Sequence, residues 1–82
     1  MKLKFGDRVE IQWFDIESTS AWTNIERAKK LKPKIYIDIG YYLNEDDRFL
    51  RVYNSIDGDK SQVGFTIFPK GTIQKIIKLR KV

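Results

Sequence analysis

Two knots of carboxylates stand out in this 82-residue chain: Glu45-Asp46-Asp47, and Asp57 with Asp59 two positions on. Grouped carboxylates are the raw material of a hard-cation site or of general acid–base chemistry. Here both knots sit in turn-forming sequence, Asn44-Glu45-Asp46-Asp47 and Asp57-Gly58-Asp59, where aspartates commonly hydrogen-bond their own backbone. The Asp-Gly-Asp triplet also lacks the spaced ligands and distal glutamate of an EF-hand loop. Histidine and cysteine, the usual proton shuttles and nucleophiles near neutral pH, are absent. Disulfides are thereby excluded, and zinc and haem lose their usual ligands. The composition points away from an enzyme, and no catalytic residue, metal ligand or cofactor is assigned.

Lysine and arginine number 16 against 11 aspartates and glutamates, a net charge of +5 that raises the prior for an anionic partner. The basic residues form two groups: Arg27, Lys29, Lys30, Lys32 and Lys34, then Lys70, Lys75, Lys78, Arg80 and Lys81. Such clustering is the footprint expected of a phosphate-backbone contact, for which Lys29, Lys30, Lys32, Lys75 and Lys78 are the candidates. The same lysines also serve as ordinary solubilising charge. Tyr36, Tyr42 and Tyr53 alternate with the apolar members of their segments, and exposed rings of that kind stack bases or anchor a protein interface.

The elements that must carry these residues follow from periodicity. Val9, Ile11 and Trp13 alternate with polar residues, predicting a first strand over residues 7–14. Thr23-Asn24-Ile25-Glu26 matches a capping box with Thr23 as cap, and Trp22, Ile25, Ala28 and Leu31 recur every third residue ahead of Pro33. A short helix over residues 24–32 is expected, with Trp22 stapled to it and, like Trp13, placed in the core. Ile35, Ile37 and Ile39 alternate into Tyr41-Tyr42-Leu43, a long second strand; residues 49–56 return from the acidic turn as the third. Asp57-Gly58 is expected to supply the positive φ of the next turn. Val63, Phe65 and Ile67 mark the fourth strand, Pro69-Lys70-Gly71 a turn, and residues 73–79 the last; Gly40, Gly64 and Gly71 are read as serving backbone geometry. No repeat, linker or low-complexity tract divides the chain, so residues 1–82 are one domain. A mainly β, five-stranded barrel with one short helix after the first strand fits this spacing, because closure hides the edges of a small sheet.

Several landmarks in order, Trp13-Phe14-Asp15, Trp22, Lys32-Pro33, Ile39-Gly40-Tyr41, Asp46-Asp47, Asn54-Ser55-Ile56 and Pro69-Lys70-Gly71-Thr72-Ile73, resemble a largely uncharacterised family of small proteins encoded by bacteriophages and prophages. Gly40, Leu43, Asp46 and Phe49, followed by Gly71 and Ile73, are in addition similar to the glycine and aspartate spacing of Sm-like RNA-binding barrels, so the expected fold is a small barrel of the SH3-like or Sm-like kind. The resemblance implies a phage accessory binding module that contacts a host or viral protein, including an inhibitor of host defence, in the cytoplasm of the bacterial host. The alternative is an RNA-binding or single-stranded-DNA-binding barrel of the Sm kind. No signal peptide or membrane-spanning run is read from the sequence, and a core this small, with acidic and basic regions set apart, is expected to favour homo-oligomers.

Overall fold

The computed structural model describes residues 2–18 and 20–80, so the candidate charge at Lys81 lies outside the described residues. The elements are β1 (Arg8–Phe14), α1 (Ile25–Ala28), β2 (Ile35–Glu45), β3 (Phe49–Ile56), β4 (Val63–Pro69), a 3-10 turn at Lys70–Thr72, and β5 (Ile73–Lys78). The expected five strands and one helix are therefore all present. They form one antiparallel sheet in the order β4-β3-β2-β1-β5.

The two acidic knots build its hairpins. Asp46 Oδ1 accepts the Arg48 and Phe49 amides, each at 2.9 Å, and the Asp46 amide donates to the Phe49 carbonyl at 3.0 Å. The Arg48 amide, the Arg51 guanidinium and the Phe49 amide together hold the Asp46 carboxyl down at about 2. In the β3–β4 connection Asp57 Oδ1 accepts the Ser61 amide at 2.7 Å and the Gln62 amide at 3.0 Å. Led by the Gln62 amide, these bonds lower Asp57 to about 2 as well. The left-handed residue here is Lys60 (φ 61°) rather than the expected Gly58. The turn closed by the Lys60 amide on the Asp57 carbonyl, at 3.0 Å, lies one step further along, so the left-handed position falls at the turn's end and not on the Asp-Gly pair.

The helix is shorter than its apolar spacing predicts, and its cap differs. Asn24, not Thr23, caps it: Asn24 Oδ1 accepts the Arg27 amide at 2.8 Å. After Ala28 the amides of Lys30 and Leu31 bond three residues back, to Arg27 and Ala28, so the chain tightens into a final turn ahead of Pro33. A helix of four residues presents no stripe to bury, and none of its residues is buried. Trp22 is 100% exposed, so the predicted staple and core role of this tryptophan are not formed.

Trp13 does reach the core. Its ring packs edge-on against Phe68 and tilted against Tyr36, and its Nε1 donates to Asp38 at 2.9 Å. The buried core cluster is small: Val9, Ile11, Leu50, Val52 and Phe68, with Tyr42, Ile73 and Ile76 partly buried against them. This cluster draws on both edge strands. In a flat sheet β4 and β5 would lie about 19 Å apart, four strand spacings, yet only the 3-10 turn Lys70–Thr72 joins them. At about 2 Å per residue such a turn spans less than half that distance, so the sheet must curl. It stays open nonetheless: among the described residues no ladder joins β4 to β5. The β2–β3 ladder runs between Tyr41/Tyr53 and Glu45/Leu50, and beyond a bulge at Tyr53/Ser55 the β3–β4 hairpin continues without β2. The radius of gyration is accordingly 16.2 Å, against about 12 Å for a compact chain of this length.

Candidate interaction surface

Residues directly opposite in an antiparallel ladder share a face, so register sorts the sheet into two sides. Val9–Gly40, Ile11–Asp38 and Trp13–Tyr36 between β1 and β2, then Val52–Thr66 and Leu50–Phe68 between β3 and β4, line the inner face. Gly40 is closely packed there: a Cβ on it would lie 3.0 Å from the Tyr53 carbonyl oxygen and 3.6 Å from Val52 Cβ. On the outer face stand Arg8–Tyr41, Glu10–Ile39, Gln12–Ile37 and Phe14–Ile35, continued by Tyr41–Tyr53, Tyr53–Phe65 and Arg51–Ile67.

This division inverts what the sequence pattern of β2 implies. Strict alternation of isoleucine with other residues belongs to a strand whose isoleucine side is buried. In the structure the Tyr36, Asp38 and Gly40 side faces the core, and Ile35, Ile37 and Ile39 face out. With Tyr41, Phe65 and Ile67 they are each between 41% and 59% exposed. The result is an apolar strip that follows β2 from Ile35 to Tyr41 and crosses β3 at Tyr53 to reach Phe65 and Ile67 on β4. Phe5 stacks on Tyr53 with ring centroids 5.4 Å apart, and Tyr41 tilts against the same ring at the same distance. A left-handed Gly6 (φ 86°) turns the N-terminal segment so that the Gly6 amide bonds the Tyr42 carbonyl, which brings Phe5 over the sheet.

The predicted aromatic contacts are dispersed. Tyr36 is exposed on the inner side beside Trp13; Tyr42 is half-buried, its hydroxyl donating to Glu45 at 3.1 Å, and burial followed by that carboxylate raises its pKa. Tyr53 is buried beneath Phe5 and Tyr41. Of the candidate lysines, the two on β5 fall on opposite faces of the sheet. Lys75 stands opposite Gln12 on the outer face, Lys78 opposite Val9 on the inner one, where it pairs with Asp7 at 3.5 Å. Lys29 pairs with Glu26 at 3.3 Å, and Lys32 borders a groove. That groove, of about 640 Å³, lies between the helix-bearing segment and the 3-10 turn, floored by Phe14, Ile16, Leu31 and Pro33. Its carboxylates are engaged with main chain: Asp15 accepts the Ile16 amide at 2.8 Å and Glu17 the Lys34 amide at 3.2 Å.

The acidic knots are structural in the same sense. Glu45 accepts from Lys70 Nζ at 2.6 Å, which ties the 3-10 turn to the end of β2 and is the main cause of its lowered pKa. Among the described residues no group of three or more carboxylates is placed to hold a metal ion, and no helix is long and apolar enough to cross a membrane.

The outward isoleucines are the site that reading the sequence missed. The signal, alternation along β2, was visible, but nothing local says which of the two faces a curled sheet will enclose. Compared with models of protein families, with curated proteins and with solved structures, the chain matches none of them.

Proposed function

We propose that this chain is a non-enzymatic protein-binding module, an opened SH3-like or Sm-like barrel that docks a partner protein on the outer face of its sheet. The barrel reading is supported by β5 lying beside β1 and by the tight turn that links opposite edges of the sheet. The observation that carries the docking reading is the row Ile35, Ile37 and Ile39, patterned for burial and left exposed. A contiguous apolar strip of this kind marks an interaction site. Its aliphatic half suits a protein, since bases stack on aromatic rings.

Charge specifies the partner further. Arg8 stands opposite Tyr41 on this face and Lys75 opposite Gln12, against one carboxylate, Glu10 opposite Ile39; Arg51 on β3 is paired with Asp46, and Lys34 directly precedes Ile35, on a chain of net charge +5. The complementary surface has apolar side chains inside an acidic rim. The likeness to phage-encoded proteins implies a host or viral protein as its owner, with inhibition of host defence as the biological role.

The test is capture from bacterial lysate on the immobilised chain, with and without nuclease, run alongside two variants. Ile37→Asp/Ile39→Asp disrupts the strip, and Lys29→Glu/Lys30→Glu/Lys32→Glu removes the helix-side charge. The expected result is a nuclease-resistant protein that the lysine variant retains and the isoleucine variant binds at least about thirtyfold more weakly, the loss of one interface hot spot. An isoleucine variant that folds by circular dichroism and keeps the partner sinks the proposal. Capture abolished by nuclease and by the lysine variant establishes nucleic-acid binding instead.

A further inference from the structure

The two edges of the sheet are written differently. β5 reads Ile-Gln-Lys-Ile-Ile-Lys and carries Lys75 and Lys78, whereas β4 reads Val-Gly-Phe-Thr-Ile-Phe-Pro without a charge of either sign. Lysines on an edge strand block its pairing with other chains; an uncharged apolar edge is a template for it. Among the described residues β4 pairs with β3 on one side and with nothing on the other.

We infer that the free edge of β4 pairs antiparallel with β4 of a second copy of this chain, about a two-fold axis at Thr66. The strand is self-complementary in that register. Phe65 of one copy falls opposite Ile67 of the other, and the reverse, which are apolar pairs of the kind that stabilise a ladder. Thr66 faces Thr66, a hydroxyl pair also favoured across strands. Gly64, which has no side chain, falls opposite Phe68, and Pro69, with no amide hydrogen to donate, closes the ladder at its end. No like charges meet anywhere along it. An isologous contact of this kind closes at two copies, while pairing β4 with the lysine-bearing β5 of another copy would leave free edges and propagate.

The pairing also extends the outer face. The apolar strip of one copy stops at Phe65 and Ile67; across the axis the same residues of the second copy continue it, giving one strip over a ten-stranded sheet. The dimer does not depend on the docking reading, because Thr66 stands opposite Val52 on the inner side.

The experiment is light scattering across a concentration series, with variants at the axis and on the other edge. The wild-type mass should rise toward twice the 9.7 kDa of one chain. Thr66→Lys, which sets two ammonium groups face to face at the axis, should hold it at one chain; Thr66→Val, uncharged, should keep the dimer, and so should Gln74→Lys on β5. As the chain has no cysteine, Thr66→Cys gives a direct readout. Cα atoms of opposed residues are about 4.5–5.5 Å apart, inside disulfide range, so oxidation should yield a covalent dimer that Gln74→Cys does not. A wild-type mass of one chain at every concentration, together with no cross-link in the oxidised Thr66→Cys variant, overturns the inference. A dimer broken by Gln74→Lys, or untouched by Thr66→Lys, overturns it equally. In any of those cases partner capture through Ile37 and Ile39 would be unaffected.

Discussion

Both faces of the sheet carry rows of apolar side chains, and the two rows differ in what covers them. Val9, Ile11, Leu50 and Phe68 are at most 2% exposed, while Ile37, with a side chain as apolar as any of these, is 59% exposed. Curling accounts for the difference: a concave face encloses its own side chains, and a convex face spreads them apart. An apolar pattern on the convex side therefore serves contacts the single chain does not make. If so, equal residues on the two faces should contribute very unequally to folding and in the opposite order to association.

The largest expected effect tests the first half of that statement. Leu50→Ala empties an enclosed position and should destabilise the chain by about 2–5 kcal/mol, the range for such truncations in cores. Ile37→Ala removes exposed surface and should change stability by less than about 0.5 kcal/mol. Urea unfolding of both variants, at concentrations below self-association, reads the difference. Equal losses would mean that the outer face is covered within one chain, and the comparison would break.

Which face is inner is decided by register, since a shift of one residue moves every side chain to the other side of the sheet. The acidic turns fix that register, and they titrate. Asp46 and Asp57 lie at about 2 in the folded chain, below an unfolded value of about 3.9. Their folded-state pKa is depressed, so the stability they contribute is present above pH of about 4 and is lost as the pH falls towards about 2. Asp7 and Glu45, lowered chiefly by the Lys4 amide and by Lys70, add to the loss in the same direction. Urea midpoints should be flat from about pH 7 to 5 and fall below about pH 4. Asp46→Asn/Asp57→Asn should start lower and fall less; an unchanged slope would show that the turns do not set the register's acid sensitivity.

Much of the fold was legible because it rests on local signals. Alternation placed β1, β3 and β4 within two residues of where they lie, and the turn chemistry of Asp46 and Asp57 separated the hairpins. The helix is shorter than the period of Trp22, Ile25, Ala28 and Leu31 implies, and none of its own residues is buried. Alternation gives the tyrosines a side but not its cover; Tyr53 is buried because Phe5, remote in sequence and turned by Gly6, folds over it. The outer strip is illegible in the sequence for the same reason. Its isoleucines obey the rule for a buried face, and curvature, a property of the whole sheet, assigns them to the open one.

The smallest expected effect concerns the two tryptophans, which repeat the contrast of the faces in one residue type. Trp13 is held between Tyr36 and Phe68 and bonded to Asp38, whereas Trp22 is 100% exposed. Trp22→Phe should leave the unfolding free energy unchanged within about 0.5 kcal/mol and remove the component of fluorescence that iodide quenches readily. The emission that remains, from Trp13, should be blue-shifted and protected. Trp13→Phe should do the reverse, leaving a red, freely quenched signal, and should weaken folding because the core loses both an indole and the partner of Asp38. A protected Trp22 in the single chain would place the helix-bearing segment on the outer strip, making that face self-covered, whereas protection gained only on adding a binding partner would put the segment beside the docking site.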